Sequence, residues 1–111
     1  MTISLTLPER IGVIILLAEV NVGKRSFLNF IKDGRDAVEI KKEEIQEYGI
    51  TGRQGGGLDW NKETADIAKE FTLSEGVSEF ITKRLKELED ALPMDLLPLA
   101  NKILGEAEKN G

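Results

Sequence analysis

Cysteine and histidine are both absent from this 111-residue chain. Without a thiol there is no disulfide, no thiolate nucleophile and no paired-cysteine redox motif. Without either residue, a structural zinc site lacks the soft sulfur and nitrogen ligands it needs. The lack of histidine also removes the one side chain that ordinarily titrates near neutrality. Ser26, Ser74 and Ser78 have no imidazole to activate them, so a hydrolase triad is excluded. Any catalysis would fall to carboxylates, Lys, Tyr or hydroxyls.

Long apolar runs are missing too. The longest near the N-terminus is Ile11–Ala18, far short of the roughly 20 residues that span a bilayer. Glu9 and Arg10 stand directly before it, where a secretory signal would carry a basic segment. A cytoplasmic protein without a membrane segment is the expectation. Basic charge is in the minority, with a net charge of -5. The acidity sits in residues 61–111, which hold seven basic and eleven acidic groups. That field opposes nonspecific binding to phosphate backbones but permits a local basic patch.

What is present is a soluble balance of 41% hydrophobic and 32% charged residues, enough for one real core in one domain spanning 1–111. Residues 2–7, TISLTL, alternate polar and apolar as a half-buried strand does. Thr6-Leu7-Pro8-Glu9 then forms a capping box, with Pro8 tolerated in the first turn. A central helix over roughly 7–20 follows, apolar on two faces: Ile11, Ile14, Ile15 and Ala18 on one, Val13, Leu16 and Leu17 on the other.

Beyond a turn at Asn21-Val22-Gly23, residues 24–38 pattern as a second amphipathic helix that Gly34 weakens. Residues 41–48 read as a short charged helix or turn with Ile45 and Tyr48 inward. The stretch Tyr48–Asn61 holds five of the eleven glycines and the only Trp. Its arms, Ile50-Thr51 and Leu58-Asp59-Trp60, flank Gly52-Arg53-Gln54-Gly55-Gly56-Gly57 as a hairpin with a long or bulged loop.

Asn61 caps a helix over 62–69, and 69–73 reads as a strand. Thr72-Leu73-Ser74-Glu75 repeats the capping-box pattern, opening a helix over 73–92 with the stripe Leu73, Val77, Phe80, Ile81, Leu85, Leu88 and Leu92. Pro93 ends it. Asp95 caps a last helix with Leu96, Leu97, Ala100, Ile103 and Leu104 inside. The repeated strand–cap–helix grammar, offset by 66 residues, places strands 2–7 and 69–73 side by side with the hairpin as neighbour. The fold class is α+β: mainly helical, about five helices, a glycine-rich hairpin and a small antiparallel sheet.

Three sets of residues carry candidate chemistry. Val22-Gly23-Lys24-Arg25-Ser26 imitates the end of a phosphate loop, but position 18 is Ala and Arg25 stands where Ser or Thr belongs. The tip Arg53, Gln54, Gly55, Gly56 and Gly57 is the exposed segment with unusual chemistry. With Lys24, Arg25, Lys32, Arg35, Lys41 and Lys42, Arg53 also completes a local basic set in a winged-helix-like layout for DNA, interleaved with Asp33, Asp36, Glu39, Glu43, Glu44 and Glu47. Carboxylates come close at Glu43, Glu44 and Glu47, and at Asp66 and Glu70 as an i,i+4 pair, in the manner of a Mg²⁺ or proton-sharing site. Charged helix faces generate such pairs routinely.

Several short stretches resemble a group of small bacteriophage- or prophage-type proteins of unassigned function. They are Leu5-Thr6-Leu7-Pro8-Glu9-Arg10, Leu16-Leu17, Glu43-Glu44-Ile45, Leu58-Asp59-Trp60-Asn61, Lys69-Glu70-Phe71 and the Leu85/Leu88 helix. The resemblance implies a viral origin and carries no functional residue with it.

The leading expectation is a non-enzymatic protein that works by contact with a host or phage protein, in the host cytoplasm, with no cofactor. Its surfaces would be the tip, Arg53 to Gly57, and the acidic faces of the C-terminal helices. A homo-oligomer stays open. The alternative is a winged-helix-like DNA-binding regulator using Lys24, Arg25, Lys41, Lys42 and Arg53. A carboxylate- and metal-dependent enzyme comes last.

Overall fold

A computed structural model describes residues 2–52 and 54–110, with the backbone alone for 106–110. The chain is α+β and mainly helical, as its periodicity requires. Strand β1 (Thr2–Leu5) leads into α1 (Leu7–Ala18). Thr6 caps α1 as expected: its hydroxyl accepts from the Glu9 N–H at 3.4 Å, and Glu9 Oε1 accepts from the Thr6 N–H at 2.9 Å. Two orphan donors of the helix start are thereby satisfied.

Helices α2 (Arg25–Val38) and α3 (Lys42–Tyr48) follow. The hairpin is β2 (Thr51–Gly52) against β3 (Leu58–Asp59), and α4 is only the single turn Lys62–Ala65. Strand β4 (Lys69–Thr72) enters α5 (Glu75–Glu87). Two 3₁₀ turns, Glu89–Ala91 and Met94–Leu96, precede α6 (Leu97–Asn110). Among the described residues, no helix is long and apolar enough to cross a membrane.

Strands β1 and β4 pair antiparallel, with Ile3 opposite Phe71 and Leu5 opposite Lys69. The two strand–helix units therefore sit side by side. The hairpin, however, forms a second two-stranded sheet and does not extend the first. Its base is held by side chains instead. Ile50 and Trp60 pack on a small cluster of Leu7, Tyr48 and Ala65, and the Asn61 N–H donates to Tyr48 O at 2.6 Å.

The main core joins α1, α2, α5 and α6. It contains Val13, Leu16 and Leu17 of α1, Ile31 and Val38 of α2, Val77, Ile81 and Leu85 of α5, and Leu99 of α6. Gly34 does not end α2. It lets three helices meet: a Cβ there would lie 3.2 Å from both Leu17 Cδ1 and Val77 Cγ2. Gly12 does the same for α1 and α6, where a Cβ would lie 2.9 Å from Leu99 Cβ.

Several local expectations give way. The second cap is Ser74, accepting from the Val77 N–H, and not Thr72. Asp95 lies within a 3₁₀ turn before α6 and opens no α-helix. Ile45 and Leu97 are 43% and 41% exposed, where an inward position was expected, while Leu99 is buried. Ala18 is exposed although it shares a face with Ile14, because α2 leaves that side of α1 open.

Candidate functional site

The densest polar arrangement centres on Arg10, in the first turn of α1. Arg10 lies on the same helical stripe as Val13 and Leu17, so its side chain starts toward the interior. It is the one buried charged residue among those described, at 2% exposure. Its guanidinium forks onto Glu44 at 2.6 and 2.9 Å. It also donates to the carbonyls of Val38 and Glu39. Its Cζ lies 4.7 Å from the centre of the Phe71 ring. Lys69 Nζ donates to Glu44 at 3.1 Å and to Glu47 at 2.7 Å, and sits over the Tyr48 ring.

The Glu44 carboxylate also accepts from the Lys41 N–H. The hydrogen bonds from Arg10 pull its pKa down to about 2 against the opposing effect of burial, and the Lys41 amide and Lys69 help. Burial presses on Arg10 in the direction of neutrality, but its bonds and charge interaction with Glu44 outweigh it and raise its pKa. The bond to Glu47 leads in raising Lys69. A carboxylate held so low is no base near neutrality, and the groups around it are engaged with one another. The arrangement is a clasp tying α1 to the α2–α3 junction and to β4.

In the sequence Arg10 reads as a charge ahead of an apolar run. The available signal was its place on the Val13–Leu17 stripe. Residues far apart in sequence, Arg10, Glu44, Lys69 and Phe71, converge in this clasp.

A concave site lies elsewhere, between α1 and α2. The two helices run antiparallel, since Arg10 reaches Val38 and Leu17 lies against Gly34. They leave a groove of about 760 Å³. Its α1 wall is apolar, formed by Ile14 and Ala18, with Val20 at one end. Its α2 wall starts from Leu28 and the buried Ile31 and carries Lys32, Arg35, Asp36 and Glu39 outward, with Ile40 at the far end. Glu39 pairs with Lys41 at 3.3 Å. Among the described residues, no ion pair engages Lys32, Arg35 or Asp36.

The hairpin tip stands away from the body. Gly55, Gly56 and Gly57 take φ of 90°, 108° and 86°, the left-handed region that disfavours side chains. A Cβ on any of them would meet nothing within 4 Å. Gln54 beside them is exposed, and Arg53 lies outside the described residues.

Of the basic residues considered for DNA, Arg53 lies outside the described residues, and Lys32 and Arg35 lie along α2. Lys24 and Arg25 start α2, while Lys41 and Lys42 start α3 beyond its far end. Fourteen residues of α2 separate the two pairs by about 20 Å at 1.5 Å per residue.

One carboxylate pair is taken up by cations and the other is split. Glu44 and Glu47 are occupied by Arg10 and Lys69. Asp66 caps the end of α4 and Glu70 lies in β4, so they share no helical face. Among the described residues, no group of three His, Cys, Asp or Glu is placed to hold a metal ion. Comparison of the chain with protein-family models, with curated proteins and with solved structures finds no match.

Proposed function

We propose that this chain is a small, non-enzymatic, phage-type protein that acts by binding a protein of the host or of the phage. The observation that carries this reading is the α1–α2 groove, a concave apolar surface rimmed by charged side chains. Helix-lined apolar grooves with polar rims are a recurrent form of protein-recognition surface. The projecting tip at Gln54–Gly57 and the exposed acids Glu75, Glu79 and Glu87 of α5 are accessory surfaces. The phage-type resemblance of the short motifs supplies the class of partner and its setting, the host cytoplasm.

The test is affinity capture from a bacterial host lysate with the wild-type chain and with Ala18→Arg, which places a charge in the groove. A stoichiometric protein retained by the wild type and lost with Ala18→Arg is the expected result. Retention of nothing counts against the reading. So does duplex DNA binding with a steep salt slope that Lys24→Ala and Lys41→Ala reduce, because such a slope reports phosphate neutralisation.

A further inference from the structure

We infer that the α1–α2 groove takes an amphipathic helix of the partner protein, with an acidic flank facing Arg35 and Lys32. This rests on the protein-contact reading and specifies the chemistry of the partner.

Length is the first argument. The α2 wall runs from Leu28 to Glu39, about 16 Å at 1.5 Å per residue, which is about three turns of an occupant helix. Two antiparallel helices with an apolar furrow between them offer the ridges and grooves that a third helix packs into. The walls also argue against a small amphiphile. Ala18, Lys32 and Arg35 are exposed, so the groove is open along one side, whereas small-ligand sites bury roughly 70–90% of the ligand. A helix needs to bury only its apolar stripe.

Charge selects the flank. With about 100° between successive residues, Arg35 projects between Ile31 and Leu28 and is the charge closest to the apolar floor. Lys32 stands further out, beside Glu39. Glu39 already faces Lys41 at 3.3 Å. Asp36 points furthest from the floor, at the outer edge. An entering helix therefore meets the Arg35 guanidinium first, while the α1 wall of Ile14 and Ala18 offers it only apolar contact. A carboxylate beside the apolar stripe of the occupant answers both walls.

The experiment uses the full chain and a displayed library of helical peptides, each with a fixed leucine stripe and randomised polar positions. Selected binders are expected to be enriched in Asp and Glu along one flank. Their amide chemical-shift changes should centre on Ile14, Ala18, Leu28 and Ile31. Arg35→Glu combined with Lys32→Glu, both at exposed positions, should weaken these binders about tenfold or more, equivalent to at least about 1.4 kcal/mol. The same variant should come to favour peptides bearing Lys on that flank.

No selected binder, enrichment without acidic residues, or shifts mapping elsewhere overturns the assignment. Dodecanoate binding that shifts the Ile14, Ala18, Leu28 and Ile31 amides, with no peptide selected, assigns the groove to small anionic amphiphiles instead. Self-association abolished by Ala18→Arg assigns it to a second copy. A lysate partner that survives Arg35→Glu with Lys32→Glu but is lost when Gln54–Gly57 are replaced leaves the protein-contact reading standing and removes the groove from it.

Discussion

Replacing Arg10 by alanine tests the clasp most directly. The substitution leaves the Glu44 carboxylate, 16% exposed, with Lys69 as its remaining cation. It also strips a donor from the Val38 and Glu39 carbonyls. Breaking a buried ion pair from one side destabilises by about 3–5 kcal/mol, a large part of the roughly 5–15 kcal/mol that holds a typical domain together. The chain should stay folded but with a sharply lowered urea midpoint.

The acid side gives an independent measure of the same contacts. Lowering the Glu44 carboxyl from 4.5 to about 2 is equivalent to about 3 kcal/mol at about 1.4 kcal/mol per pH unit. A depressed carboxyl pKa stabilises the fold above its unfolded value. That contribution fades as pH falls from about 4.5 toward 2. At about pH 3 roughly 1 kcal/mol of it remains.

The stability gap between wild type and Glu44→Gln should therefore narrow by about 2 kcal/mol between about pH 7 and pH 3. Equilibrium urea unfolding followed by Trp60 fluorescence reads both effects, since Trp60 is the only tryptophan and packs on the Leu7–Tyr48 cluster. A loss below about 1 kcal/mol for Arg10→Ala, the level of an exposed ion pair, refutes the buried-clasp argument. So does an unchanged gap at the two pH values.

Three further outcomes are expected. Gly12→Ala drives a methyl to 2.9 Å from Leu99 Cβ and should cost about 1–3 kcal/mol through overpacking, seen as a lower melting temperature. Thr6→Ala removes the hydroxyl that caps α1 and should cost about 1 kcal/mol in the same urea assay. Gly56→Ala meets no atom but forces a side chain into φ 108°. It should destabilise by about 1–3 kcal/mol if the hairpin holds its shape, whereas no loss in urea would mean the tip rearranges freely.

Local signals made much of the fold legible. The cap Thr6-Leu7-Pro8-Glu9 and the stripe Val77, Ile81, Leu85 act within a few residues of chain, so their pattern survives into the structure. The candidate site was far less legible. The groove depends on how closely α1 and α2 approach, and no spacing in either helix records that distance. Ala18 has the same neighbours in sequence as a core residue and becomes a wall of the groove only because α2 leaves it open.

The chain by itself determined its strand and helix order, its α+β class, and the chemistry closed to it without cysteine and histidine. Those properties follow from backbone preference, periodicity and residue type. Tertiary structure alone decided that Arg10 is buried and satisfied, because its partners come from 28 to 61 residues away in sequence. It alone gave Gly12 and Gly34 their role, since only packed helices can forbid a Cβ. It also separated the hairpin from the β1–β4 sheet, because pairing between distant strands is set by the helices that position them.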